Sequence, residues 1–404
     1  MTTRPQIRFL DRKSPPHITT LVLLTGLSAL TMNIFLPSLP NMAAYFHTEY
    51  WVMQLSVSLY LGVNAVLQIF IGPISDRYGR RPVMLWSLGL FVLATLGTLL
   101  APNAAVFLAF RMGQAVIASA MVLTRAVVRD MVAQNEAASM IGYITMGTAI
   151  VPMIGPMIGG VLDEAFGWQA SFILMLVCGL VILALAWADQ GETAVSRPTS
   201  FAAQVRQYPE LLASPRFWGY CLASAFASGA FFAYLGGAPY IGDKVFHLSP
   251  SILGFYFGAP AVGYALWNFI SGRFSSRIGV NRMVLAGTLI NLGGIGALML
   301  IELAGLAHPA VFFGFFSTIG LGNGLVLPSA TAGMLSVRPH LAGTASGLGG
   351  AMMIGGGAAL SALAGAVLVP GSGPMPLLVI MFATSAAAVA AILLVIWRAH
   401  VIAR

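Results

Sequence analysis

The residues able to do chemistry in this chain are few, and they stand in apolar surroundings. Arg111 and Gln114 lie three apart inside the apolar stretch 104–128, which closes on Thr124, Arg125, Arg129 and Asp130. Asn33 falls near the end of another such stretch, in Thr31-Met32-Asn33-Ile34-Phe35-Leu36-Pro37-Ser38-Leu39-Pro40. A third group, Gly72-Pro73-Ile74-Ser75-Asp76-Arg77-Tyr78-Gly79-Arg80-Arg81-Pro82, concentrates charge between two runs almost free of it. No nucleophile–base motif or metal-ligand cluster accompanies them, so no enzyme activity, cofactor or metal is expected. Cys178 and Cys221 sit in apolar runs without disulfide or zinc spacing and read as packed small hydrophobes. The chemistry open to such groups is binding and charge exchange in a poorly hydrated medium. A lone guanidinium there needs a polar cavity or a partner.

Composition states what positions them. Charged residues make up 8% of the 404, apolar ones 58%, and the mean hydropathy is +0.88. A soluble domain carries about a quarter charged residues, so this chain must be covered by lipid. Twelve apolar runs reach the length of about 20 residues that a span needs. They lie at about 18–36, 51–71, 83–101, 104–128, 137–162 and 168–188, then 216–241, 250–271, 283–303, 309–332, 342–369 and 375–397. Pro37 and Pro40 are expected to end the first. Arg4, Arg8, Arg12 and Lys13 precede it without a small-x-small cleavage site, so it is expected to remain as span 1.

The net charge of +8 is topological and does not point to nucleic acid. With the N-terminus in the cytoplasm, 17 of the 20 Lys and Arg fall on that side, Lys244 falls outside, and Arg111 and Arg125 fall within span 4. Glu49, Asp163, Glu164 and Asp243 then lie outside. That bias predicts both termini inside.

The charged group returns, weakened, as Gly272-Arg273-Phe274-Ser275-Ser276-Arg277-Ile278-Gly279, with Gly72, Ser75, Arg77 and Gly79 in register. A repeat at half the chain length predicts two parallel six-helix bundles about a pseudo-twofold axis along the membrane normal. The expected fold is therefore all-α, with residues 1–188 and 216–404 as bundles and 189–215 as a cytoplasmic linker. A substrate site is expected between the halves, near mid-membrane. Arg111 lies about seven residues, or roughly 10 Å of helix, inside the outer end of its span. The competing reading is a side chain snorkelling to the headgroups. Arg125 reads as a snorkelling or interdomain residue. Gly155 and Gly159 form a GxxxG face that lets helices approach.

Gly-Pro-x-Ser-Asp-Arg-x-Gly-Arg-Arg-Pro resembles the loop 2–3 signature of the major facilitator superfamily. Arg111-x-x-Gln114 resembles the span 4 motif of its drug/proton antiporters. Pro152, Gly155, Pro156, Gly159 and Gly160 are similar to their antiporter motif. The end of span 1, Gly167-Trp168-Gln169-Ala170-Ser171-Phe172, and Ser214-Pro215-Arg216-Phe217-Trp218 resemble the bicyclomycin/chloramphenicol-resistance branch, which includes amphenicol exporters.

The resemblance implies a monomeric bacterial inner-membrane exporter of small apolar or amphipathic drugs, working by alternating access with inward proton flow. Asp76, within Gly72, Asp76, Arg77, Gly79, Arg80 and Arg81, would gate contact between the halves in the outward-open state. Ser276 replaces it in the second copy. Helices 1, 4, 7 and 10 would line the cavity, giving Asn33, Arg111, Gln114, Phe226, Phe231, Phe232 and Tyr234. Tyr60, Asn64, Gln68 and Tyr256 would join from spans 2 and 8. For each aromatic, packing or a lipid-facing position is the competing reading.

The branch usually has Asp where this chain has Asn33, and that Asp is its expected proton carrier. Asn cannot titrate, although it mimics a protonated Asp in shape. Either coupling is altered here or the residue is a substitution that fixes the protonated-like form. An Asp at 33 would pair with Arg111 if both face one cavity. The chain as written is therefore expected to bind substrate with impaired proton-driven accumulation. An exporter of an endogenous metabolite, or a membrane sensor that transports nothing, are the alternatives.

Overall fold

In hydrocarbon every backbone N–H and C=O must be paired within the segment or barrel that carries it, so so apolar a chain is restricted to helices or a closed barrel. The computed structural model describes residues 8–132, 136, 140–141, 143–144, 150–194, 208–258, 260, 263–264, 267, 278–306, 308–338 and 341–402, and these are helical apart from short connections. Ten helices among them are long and apolar enough to cross a membrane.

Helix α1 (Ile18–Asn33) passes through a 3-10 turn at Leu36–Ser38 into α2 (Leu39–Tyr45). Pro37 and Pro40 do not end the span, as the sequence suggested; they take first-turn positions, where a missing N–H costs no hydrogen bond. Helix α3 (Tyr50–Tyr78) likewise runs through Pro73, and α4 (Arg80–Leu99) starts one residue after it ends. The charged group is thus less a loop than two helix ends hinged at Gly79. Its φ of +97° is open to glycine at little cost, and a Cβ there would also strike the Glu192 carboxylate.

Span 4 is divided into α5 (Ala104–Gln114), capped by the Asn103 side chain, a 3-10 turn at Ala115–Ala118, and α6 (Ser119–Met131). Helices α7 (Val151–Phe166) and α8 (Gln169–Asp189) complete the first half. In the second half come α9 (Pro215–Tyr240), a π-turn at Ile241–Val245, and α10 (Pro250–Tyr256). Then follow α11 (Val280–Leu303), α12 (Pro309–Phe315), α13 (Ser317–Val337), α14 (Ala342–Val367) and α15 (Met375–Ile402). Gly272 to Arg277, Gly147 and linker residues 195–207 lie outside the described residues.

The internal repeat extends to individual dihedrals. Gly79 (φ 97°, ψ 150°) and Gly279 (φ 90°, ψ 145°) each precede a long helix. His47 and His247, at φ 50° and 52°, stand in the left-handed region that few non-glycine residues enter. Each follows a phenylalanine that meets a buried one two spans on: Phe46 with Phe107 at 5.4 Å, and Phe246 with Phe312 at 5.3 Å.

The halves meet along two seams, α3 with α14 and α7 with α10. Small residues set the approach. A Cβ on Gly160 would drive into the Pro250 carbonyl of α10, while Gly159 presses on the Ile34 carbonyl of its own half. The GxxxG face at Gly155 and Gly159 therefore serves packing within a bundle, and the face through Pro156 and Gly160 serves the seam.

Candidate functional site

Arg111 is the largest side chain buried almost completely, 1% exposed. Asn103 starts α5 and places Arg111 two turns in, facing α1 and α3. Its guanidinium lies between the Phe35 ring at 4.3 Å and the Tyr60 ring at 4.4 Å. Nε donates to the Ser56 carbonyl at 3.2 Å, and the terminal nitrogens donate to Gln114 Oε1 at 2.7 Å and the Thr31 carbonyl at 2.8 Å. Thr31 lies in the last turn of α1, where carbonyls lack intrahelical donors, and this supplies one acceptor. Gln114 is held in turn by donating to Thr95 Oγ1 at 2.8 Å, and Thr95 donates to the Phe91 carbonyl at 2.7 Å.

Among the described residues no carboxylate pairs with Arg111, although all twelve acids of the chain lie within them. The cation is solvated by dipoles and ring faces alone. Such a group keeps its charge and can attract an acceptor-rich ligand that offers a better partner than a carbonyl.

The other candidates from the sequence fall into separate groups. Asn33 is buried and turns back along α1, its Nδ2 donating to the Ala29 carbonyl at 2.8 Å and not towards Arg111. Asn64 and Gln68 share one face of α3, 3.4 Å apart, and Gln68 Oε1 faces Gly350 of α14. Phe231, Phe232 and Tyr234 belong to an aromatic cluster of the second half, in which Tyr234 lies 4.3 Å from Phe316 and 5.1 Å from Phe257. The buried Tyr234 hydroxyl has no hydrogen-bond partner among the described residues. Tyr256 stacks on Phe313 at 5.0 Å, and Phe226 is half-buried against a second cluster around Phe217 and Tyr220.

At the Tyr50 end of α3 the seam is closed by hydrogen bonds between the halves. Tyr50 donates to the Gly236 carbonyl at 2.7 Å, and Gln54 Nε2 donates to the Ser361 carbonyl at 2.6 Å and hydroxyl at 2.8 Å. The Ser251 amide donates to Glu164 at 3.4 Å. Sequence reasoning missed Tyr50, Gln54 and Ser361, and it missed Phe35, Ser56 and Thr95 around Arg111. A polar stripe at helical spacing, Tyr50, Gln54, Asn64 and Gln68, was the available signal.

At the opposite end Arg80 is the hub. It pairs with Asp76 at 2.6 Å and with Asp130 at 3.0 Å, and donates to Ser75 Oγ. Arg77 lies over the Tyr78 ring at 5.4 Å, and Arg81 donates to the Trp187 carbonyl at 3.1 Å. Glu192, just past the end of α8, accepts from the Arg80 amide at 2.8 Å and so caps α4. Pro152 starts α7, Pro156 lies inside it, and Gly72 faces open space.

Residues 21–362 match the family model described as Major Facilitator Superfamily. The chain is 32% identical over 338 residues to the chloramphenicol resistance protein of Pseudomonas aeruginosa, covering 81% of this chain and 79% of that one. It is 30% identical over 381 residues to multidrug resistance protein D of Escherichia coli (strain K12), covering 89% and 90%. The fold is similar to that of the human organic anion transporter MFSD10, with a TM-score of 0.69 over 94% of this chain and 98% of that one at 17% identity.

Proposed function

The chain belongs to the Major Facilitator Superfamily, and from that premise we propose that it exports small apolar or amphipathic antibiotics across the bacterial inner membrane by alternating access. Twelve spans, two six-helix bundles divided at 189–215, cytoplasmic termini and a monomer complete the reading. The relatives named for chloramphenicol and multidrug resistance support it. The observation that carries it is Arg111, a buried cation without a carboxylate, beside Gln114 and between Phe35 and Tyr60.

A neutral drug rich in hydroxyl, amide or nitro acceptors fits such a group. It exchanges carbonyl contacts for ligand contacts with little change in charge, whereas a sugar or phosphate site needs more convergent amides and bases. Access alternates as the seams at the Tyr50 end, read as the outer end, open while the Asp76–Arg80–Asp130 end closes. Protons are the proposed counter-ion. Asn33 offers no titratable group near Arg111, so coupling at that position is impaired.

The test is a resistance profile in a pump-deficient bacterial host, with and without the chain. Raised resistance to chloramphenicol or bicyclomycin, lost on Arg111→Ala with membrane abundance unchanged, is the expected result. Unaltered susceptibility to the whole antibiotic panel, at normal abundance, sinks the reading.

A further inference from the structure

Above the closed seam at the Tyr50 end lies a cavity of about 480 Å³, within the range of drug-sized sites. Both halves line it: Glu49, Tyr50 and Trp51 on one side, Tyr240, Lys244 and Leu368 on the other. Its aromatic part is the Tyr50–Tyr240 pair, with centroids 5.2 Å apart and rings tilted by 57°. Tyr50 is also the donor that ties α3 to the Gly236 carbonyl, so the same ring borders the cavity and closes the seam. Trp51 is half exposed. A membrane-interface anchor accounts for Trp51 taken singly, but not for a cavity shared by two bundles.

The charges select the ligand. Lys244 is paired with Asp243 at 2.9 Å, which offsets its charge. Glu49 is exposed, caps α3 through its backbone only, and makes no hydrogen bond or ion pair with its side chain among the described residues. The cavity therefore presents aromatic faces, apolar walls and one unpaired carboxylate, the combination that holds an amphipathic organic cation. Arg111 imposes the opposite preference in the buried site.

We propose that this cavity is a second ligand site, for amphipathic organic cations, and that its occupant holds the Tyr50 end closed. A ligand touching both halves in this arrangement binds it better than one in which they have parted, so occupancy shifts the population towards closure. Inhibition of export would follow, and only that consequence rests on the export reading.

The experiment uses the full chain in lipid nanodiscs with tetraphenylphosphonium as probe and tetraphenylborate, alike in shape and opposite in charge, as its control. Binding is read without transport, so a chain that exports no drug still answers it. Tetraphenylphosphonium is expected to bind wild type, to weaken roughly tenfold in Glu49→Gln and further in Glu49→Lys, and to weaken in Trp51→Ala. Tetraphenylborate should not weaken in either residue 49 variant. Spin labels across the Tyr50 end should report a narrower, shorter distance distribution when the cation is bound. Equal affinity in all four proteins, no binding to wild type, or a widened distance distribution on binding would each overturn the proposal. Glu49 is exposed, so its variants keep the fold.

Discussion

Arg111 and Phe316 each stand eight residues past the capping residue of their helix, Asn103 in the first half and His308 in the second. The surroundings are repeated, down to Phe107 and Phe312 four residues past those caps. Yet one position carries a buried cation solvated by carbonyls and ring faces, and the other a phenyl ring packed at 4.3 Å on Tyr234. The duplicated backbone has been used twice with opposite chemistry. Around Arg111 the contacts are polar, strongly directional and expensive to disturb, within a half whose remaining core is apolar and aromatic. Around Phe316 stands an aromatic block held by packing. The lesson is that the repeat fixes where side chains stand, and the side chains decide what each position can do.

The largest break in this comparison comes from removing the two side chains in turn. Arg111→Ala leaves the acceptors at Thr31, Ser56 and Gln114 without their donor, and drug export is expected to fall at least 100-fold. Phe316→Ala should cost about 3–5 kcal/mol of stability by opening a cavity, while the remaining folded protein keeps substrate binding. Equal loss of binding per folded molecule in both variants, read by equilibrium binding and thermal unfolding, would erase the functional contrast.

A smaller change places a titratable group at position 33. Asn33→Asp is expected to add a component of drug accumulation that grows with an imposed inward proton gradient, several-fold over the parent chain in proteoliposomes. If the parent already concentrates drug in proportion to ΔpH, the coupling group lies elsewhere.

The hinge glycines sharpen the comparison further. Both Gly79→Ala and Gly279→Ala force a side chain into positive φ, at about 1–2 kcal/mol each. Only at Gly79 does a Cβ also strike the Glu192 carboxylate that caps α4, and among the described residues nothing stands within 4 Å of a Cβ at Gly279. The Gly79 variant should therefore unfold at a lower temperature than the Gly279 variant, and an equal or reversed order contradicts the hooked linker. The smallest effect is symmetric. His47→Gly and His247→Gly relieve the same left-handed strain, so each should change stability by less than about 1 kcal/mol and by matching amounts.

Much of the architecture was legible because it follows from local chemistry. Apolar runs of span length cannot be soluble surface, and the Gly-Pro-x-Ser-Asp-Arg echo exposed the duplication before any coordinate. The site was legible in part. Arg111, Gln114 and Tyr60 do come together, because an Arg deep in an apolar helix has to be met by something. What meets it was not readable: the acceptors are backbone carbonyls of Thr31 and Ser56, and every residue has one. Helical spacing also left Tyr234 and Phe231 undecided between a wet and a packed face, since an aromatic ring suits both.

The sequence by itself determined the medium, the helices and the repeat, since hydropathy, proline and glycine placement, and a pattern recurring after half the chain act over short distances along the backbone. Only the tertiary structure decided that Arg80 gathers Asp76 and Asp130, that Asn33 turns to Ala29, and that Tyr50 and Gln54 fasten one half to the other. Asp76 and Ala29 stand only four residues from their partners, so there the packing decided which way a side chain turned. Arg80 with Asp130, and the ties of Tyr50 and Gln54, join groups distant in the chain, and nothing local to either partner specifies the other. The ties of Tyr50 and Gln54 depend on the small faces of α7 and α10 that let the halves approach, because close approach is what brings a donor on one helix within reach of an acceptor on another.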